Sequence, residues 1–115
     1  MTATFSQFVS EMDAKNTIQL NVTKWTLMLR DALTDAAPKG YTYEIVSGRK
    51  YHKIMMHDCW NGGSTHAFID KKTGEVYKAA SYASPAKGVR YDLRIIEQRE
   101  YVLANCDWAG SYLYK

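Results

Sequence analysis

Apolar positions recur along this chain with two different periods, and the change from one to the other divides it. Phe5, Phe8, Val9 and Met12 recur at i, i+3, i+4 and i+7, one face of a helix, and Thr4 with Gln7 has the form of a capping box ahead of them. The pattern predicts a short docking helix. After Asn16 a longer stripe, Ile18, Val22, Trp25, Leu29, Ala32, Leu33 and Ala36, predicts a second helix, ending where Pro38 lacks an N–H and Gly40 releases the backbone. Its first turns are rich in Thr and Val, whose branched side chains weaken a helix start, so fraying or an extended entry is expected there.

From Tyr41 the period becomes two, and three turn signals cut the stretch into four strands. Ser47-Gly48-Arg49-Lys50 suits a two-residue hairpin with Gly48 at positive φ, Asn61-Gly62 is the strongest short hairpin signal, and Lys71 to Gly74 is a longer loop closed by a left-handed glycine. An antiparallel meander follows, and its register decides which side chains share a face. One face collects Tyr41, Tyr43, Ile45, Ile54, Met56, Ala67, Ile69, Val76 and Ala80, with His52 and Lys78 as misfits. That face should meet the helices. The other collects Glu44, Val46, Tyr51, Lys53, Met55, His57, Cys59, His66, Phe68 and Tyr77. With Asn61-Gly62 as the central turn residues, His57 opposes His66, Cys59 opposes Ser64 and Met55 opposes Phe68.

Beyond Ala80, "SYASPAKGVRY" reads as a loop punctuated by Pro85 and Gly88 that projects Tyr82, Lys87 and Arg90. Asp92 has the character of an N-cap for a helix running to about Cys106, with Ile95, Ile96, Val102 and Leu103 for burial. The tail "DWAGSYLYK" is aromatic enough to dock. The expected architecture over residues 1–115 is one α+β domain: a four-stranded antiparallel meander with N-terminal helices packed on one face and a C-terminal helix.

Composition adds constraints. At 115 residues, 46% hydrophobic and 23% charged, the chain suits one folded domain with its own core rather than a disordered segment. Neither a leader with a basic start and apolar stretch nor a membrane-length apolar run stands out, so a cytoplasmic protein without membrane contact is expected. Cys59 and Cys106 are expected to be reduced there. Charge is uneven: −1 over residues 1–38, +5 over 39–99 and −1 over 100–115. The middle is where an anion would be drawn.

Candidate chemistry centres on "HDCWNGGSTH", residues 57 to 66. On the register above, His57, Cys59 and His66 are close enough to converge as N/S ligands that suit zinc, with Asp58 pointing away and Cys106 an unplaced fourth, but the spacing matches no strong zinc signature and no metal is expected. Cys59 beside His57 or His66 is a candidate thiol nucleophile, but it sits at a hairpin tip with no helix N-terminus to lower its pKa. There is no phosphate loop and no acid–base pair stands out, so an enzyme is unsupported, a zinc or thiol enzyme at His57, Cys59 and His66 stays an alternative, and no cofactor is expected. A more physical alternative is single-stranded nucleic acid, with Tyr51, Phe68 and Tyr77 stacking bases beside Lys53 while Lys71, Lys72, Lys87, Arg90 and Arg94 hold phosphates.

The string "HAFIDKKTGEVYKAASYASPAKGVRYDL" with the closing "WAGSYLY" resembles a group of small uncharacterised proteins encoded by tailed bacteriophages. Their shared order is a histidine or aromatic-led strand, a D-K-x-T-G turn, V-Y-K-x-A-S and P-A-K-G-x-R. The match is good over residues 66 to 93, moderate over the tail and slight over the first 40. The resemblance implies a phage origin and life in an infected bacterium, with virion association open. The expected function is a nonenzymatic accessory protein that binds a macromolecule, protein first, through the 81 to 94 loop and the sheet face of Tyr51, Lys53, Phe68 and Tyr77. An uncovered face or free edge also favours homo-oligomers.

Overall fold

The computed structural model describes residues 5–58 and 62–114, with side chains from Lys15 onward. Helix α1 spans Phe5–Ala36 without a break. The two expected helices are therefore one. No proline or glycine falls inside it, and the penalty of a Thr or Val, roughly half a kcal/mol each, is too small to interrupt a helix held by tertiary contacts downstream. Thr23 and Thr26 also donate their hydroxyls back to the carbonyls of Gln19 and Val22, which lets Thr26 be buried without an unmet polar group. Val22, Thr26, Leu29 and Leu33 form the buried stripe. Residues 15–21 are all exposed, so the N-terminal half of α1 projects beyond the sheet and gives the molecule extents of 57 × 27 × 24 Å.

Among the described residues five strands follow in the order β1 (Thr42–Ser47), β2 (Tyr51–Asp58), β3 (Gly62–Asp70), β4 (Glu75–Lys78) and β5 (Tyr91–Asp92), each antiparallel to its neighbour. The meander was expected; its fifth strand was not, because two residues are too few for a periodic signal. Gly48 is not at positive φ: Arg49 and Lys50 make the turn, and Gly48 pairs with Tyr51 through its N–H. At the next hairpin Asp58 pairs with Gly62, leaving residues 59–61 between the strand ends rather than the pair Asn61-Gly62.

The register then shifts once more. Tyr51 to Ile54 pair with Asp70 to Ala67, but Met55 pairs with Thr65, so His66 is an extra residue in a β-bulge. Below the bulge the offset from the expected register is two residues, which preserves the faces. Tyr43, Ile54, Ala67, Ile69 and Val76 are accordingly buried together, with Ile45 and Met56 packed against them. Tyr41 stacks on Trp108, while Ala80 is exposed.

Helix α2 covers Ile96–Asn105, not the stretch from Asp92. Asp92 belongs to β5, where its carboxylate accepts the Arg94 amide and pairs with the Arg94 guanidinium. Ile95 and Ile96 are exposed, and Leu93 and Val102 take the buried positions. A 3-10 turn over Ser111–Leu113 follows, burying Tyr112 and Leu113. Residues of both helices, the turn and the core-facing strand positions share one cluster, so all helical cover lies on the same side of the sheet.

Candidate functional site

The opposite, outer face of the sheet carries most of the residues singled out from the sequence. Alternation places Tyr51, Lys53, Met55 and His57 of β2, Phe68 of β3 and Glu75 and Tyr77 of β4 on it. Tyr51 meets Phe68 edge-on at 5.6 Å and Tyr77 at 5.9 Å, a cluster in which each ring limits its neighbour's rotation. The Lys50 amine lies 5.3 Å from the Tyr51 ring centre, and the phenol beside it holds that amine's pKa up. Burial first, then Glu75, raises the Tyr77 phenol.

Met55 and Phe68 are only 3% exposed although no helix covers them. Tyr51 packs edge-on against Phe68, the Thr65 hydroxyl reaches the Met55 sulfur, and beside them runs the connection after β4. It turns back at Ser84, whose carbonyl accepts the amides of Ala80 and Ser81, and Pro85 bridges to Ala79. This lays Tyr82 across the face, where its carbonyl accepts the Thr65 hydroxyl at 2.7 Å and its ring sits 3.7 Å from the Lys53 amine. The segment expected to project as a loop is thus a folded-back hairpin. Tyr82 joins Tyr51, Lys53, Phe68 and Tyr77, and Lys87 and Arg90 lie in the connection that follows. Lys87 is exposed, and Arg90 donates back to the carbonyls of Lys87 and Gly88 in its own connection. Of the other expected phosphate holders, Lys71 donates to the Gly48 carbonyl and Arg94 pairs with Asp92.

The histidine pair that the expected register would have brought together does not form. His57 stays on the outer face and bonds Glu44 at 3.0 Å, whereas the bulge turns His66 to the core side. There its Nε2 bonds the Tyr112 hydroxyl at 2.7 Å, and its ring meets the edge of Tyr43. Two histidines on opposite sides of a sheet cannot share an ion. Cys59 lies outside the described residues, and among those described no group of three or more His, Cys, Asp or Glu is placed to hold a metal. Cys106 is a buried free thiol whose pKa burial pushes up, the reverse of what a nucleophile needs. His52, one misfit of the core face, is held by Ser47 and Thr23, and burial followed by the Lys71 charge lowers its pKa. The other, Lys78, rests on the Tyr114 ring at 4.6 Å.

The core-side network of His66, Tyr112, Tyr91 and Tyr43 went unseen in the sequence. Tyr91 donates its hydroxyl to the Tyr112 carbonyl at 2.6 Å, and burial drives the Tyr43 phenol up to about 12. Burial also drives His66 down to about 4, so it is neutral near pH 7 with one nitrogen already engaged. Two clefts flank the network: one of about 230 Å³ lined by His66, Lys78, Trp108 and Tyr114, and one of about 450 Å³ lined by Tyr91, Glu97, Tyr101 and Tyr114. Only the aromatic tail, expected to dock, hinted at this network; no local signal links His66 to a residue 46 positions away.

These features define an α+β domain with a helix-covered antiparallel meander and an aromatic outer face under a folded-back hairpin. Across residues 5–115 the chain belongs to a family of unknown function, DUF7717. No curated protein and no solved structure matches it. No helix among the described residues is long and apolar enough to cross a membrane.

Proposed function

We propose that the protein is a nonenzymatic accessory protein of a tailed phage, acting in the infected cell as a module that holds another protein on its outer sheet face. One observation carries the reading: Tyr51, Tyr77 and Tyr82 stand together on a face that neither helix covers, over buried Met55 and Phe68. Tyrosine rings restrained by their neighbours supply contact area at small entropic cost, the property that makes them anchors at protein interfaces. The face also mixes signs. Lys53 and Arg94 share it with Glu44, Glu75 and Asp92, so a polyanion laid across it would meet carboxylates as well as cations. A protein surface carrying both signs fits better than single-stranded nucleic acid.

A photo-crosslinking residue in place of Tyr77, introduced in infected cells, tests this. The expected result is one discrete protein adduct that disappears when Tyr51→Ser and Tyr82→Ser are added. Retention on single-stranded DNA or RNA that weakens with salt and is abolished by Lys53→Glu would replace the protein reading with the nucleic-acid one. Absence of both adduct and retention would reject the outer face as a binding surface.

A further inference from the structure

The two edges of the sheet are protected very differently. β5 is two residues long, enters through the connection containing Pro85 and leads by way of Leu93 into α2. β1 is six residues, Thr42–Ser47, without proline, glycine, lysine or bulge, and it ends the strand order. Sheets usually blunt so long an edge, because its unpaired backbone groups are a template for another strand. The Gly48 N–H bond to the Tyr51 carbonyl sets the alternation along β1. Thr42, Glu44 and Val46 bond inward to β2, and Tyr43, Ile45 and Ser47 turn their backbone groups outward. Beside that row, Thr23, Thr26, Leu27 and Arg30 of α1 and Tyr43 and Ile45 of β1 line a groove of about 400 Å³.

The geometry points to a second copy of this chain as the occupant: two β1 strands pair antiparallel about a two-fold axis through Ile45, joining the two sheets edge to edge. Register selects this arrangement. Centred on Glu44, the pairing would set two carboxylates directly opposite each other, and centred on Val46 it would leave the outward groups of Tyr43 beyond the paired strand. Centred on Ile45, Tyr43 faces Ser47 of the second copy, Ile45 faces its own equivalent, and Glu44 faces the apolar Val46. Every outward-facing residue then finds an outward-facing partner, and no like charges meet. Ile45 of the second copy enters the groove beside Leu27. Leu20, 70% exposed, lies seven residues before Leu27 on the same flank of α1, where the second copy's helix runs alongside. Because such an axis is perpendicular to the sheet, both aromatic outer faces end on one side of the assembly.

Light scattering after gel filtration of the full chain at tens of micromolar tests the assignment, with an expected mass twice the 13.1 kDa of the chain. Val46 is 45% exposed and opposes Lys53 within its own chain. Val46→Glu sets a carboxylate against Glu44 of the second copy, twice per dimer, and should weaken association at least tenfold. Val46→Lys sets an amine against the same Glu44 and should leave the dimer intact. Within one chain the new carboxylate opposes Lys53 but stands two residues from Glu44, and the new amine the reverse, so the intrachain effects offset each other. A Val46→Glu protein as stable as Val46→Lys at a concentration low enough that both run as monomers, yet alone monomeric at tens of micromolar, therefore reports the interface rather than misfolding. A monomeric wild-type protein, or equal masses for the two variants, overturns the assignment.

Discussion

Acidification should destabilise this protein well before its carboxylates titrate, and His66 sets the size of the effect. Its imidazole is confined between Tyr43 and Tyr112, and burial lowers its pKa from the ordinary 6.5 to about 4, against a smaller opposing pull from Asp107. As pH falls through 6.5 the unfolded chain takes up this proton and the folded chain does not. Stability present above pH 6.5 is therefore lost progressively down to about pH 4 and levels off below it. At 1.36 kcal/mol per pKa unit the whole loss is about 3 kcal/mol, a large share of the margin of a small domain. His52, lowered by burial and then by Lys71, adds a loss of the same sign. Asp92, whose carboxyl the Arg94 side chain holds below its ordinary 3.8, contributes only at still lower pH. Urea unfolding followed by tryptophan fluorescence at pH 7, 6, 5 and 4.5 measures the loss, and NMR titration of the His66 ring locates its pKa. His66→Gln keeps an amide for the Tyr112 hydroxyl but cannot titrate, so most of the slope should vanish. Stability that stays flat from pH 7 to 4.5, or a folded-state His66 titrating near 6.5, would refute the burial argument.

Two further substitutions test the packing. Leu29→Ala removes a fully buried side chain from the centre of the α1 stripe and should cost about 2–5 kcal/mol in urea unfolding; a loss well below that range would mean the helix is not seated on the sheet as described. Gly74 closes the D-K-x-T-G turn at φ 75°, and a Cβ there would sit 3.4 Å from Val22 Cγ2, so Gly74→Ala should cost about 1–2 kcal/mol from the left-handed backbone alone, and an unchanged unfolding midpoint would contradict that conformation.

The D-K-x-T-G string shows how a local pattern becomes legible. Asp70 accepts the amides of Lys72 and Thr73 through one carboxylate oxygen, and the Gly74 amide returns to the Asp70 carbonyl, so the whole turn is built from neighbours in sequence. The same holds for the buried stripe of α1 and for the period-two core face of Tyr43, Ile54, Ala67, Ile69 and Val76. Each is a repeat that solvent alone sorts into an inside and an outside. Even a hairpin misread by two residues left those faces intact, because two is the period of a strand.

What local chemistry could not determine was the bulge at His66. Whether β3 carries one extra residue depends on how its two halves pair with β2 and how the bulged side chains pack, and that is decided only when the strands meet Tyr112 and Tyr43 from distant parts of the chain. One residue of slip moved His66 from a shared face with His57 to the interior and dissolved the apparent metal constellation. The continuity of α1, the two-residue β5 and the folding of Tyr82 over Lys53 belong to the same class: each rests on contacts across the fold that outweigh small local preferences. The sequence alone determined the α+β class, the antiparallel meander and the buried positions at the centre of α1 and on the core face of the sheet, because periodicity and turn chemistry act between neighbours. The tertiary structure decided the register at the tip, the covering of the outer face and the state of every histidine, because those depend on burial and partners that exist only once the chain has closed on itself.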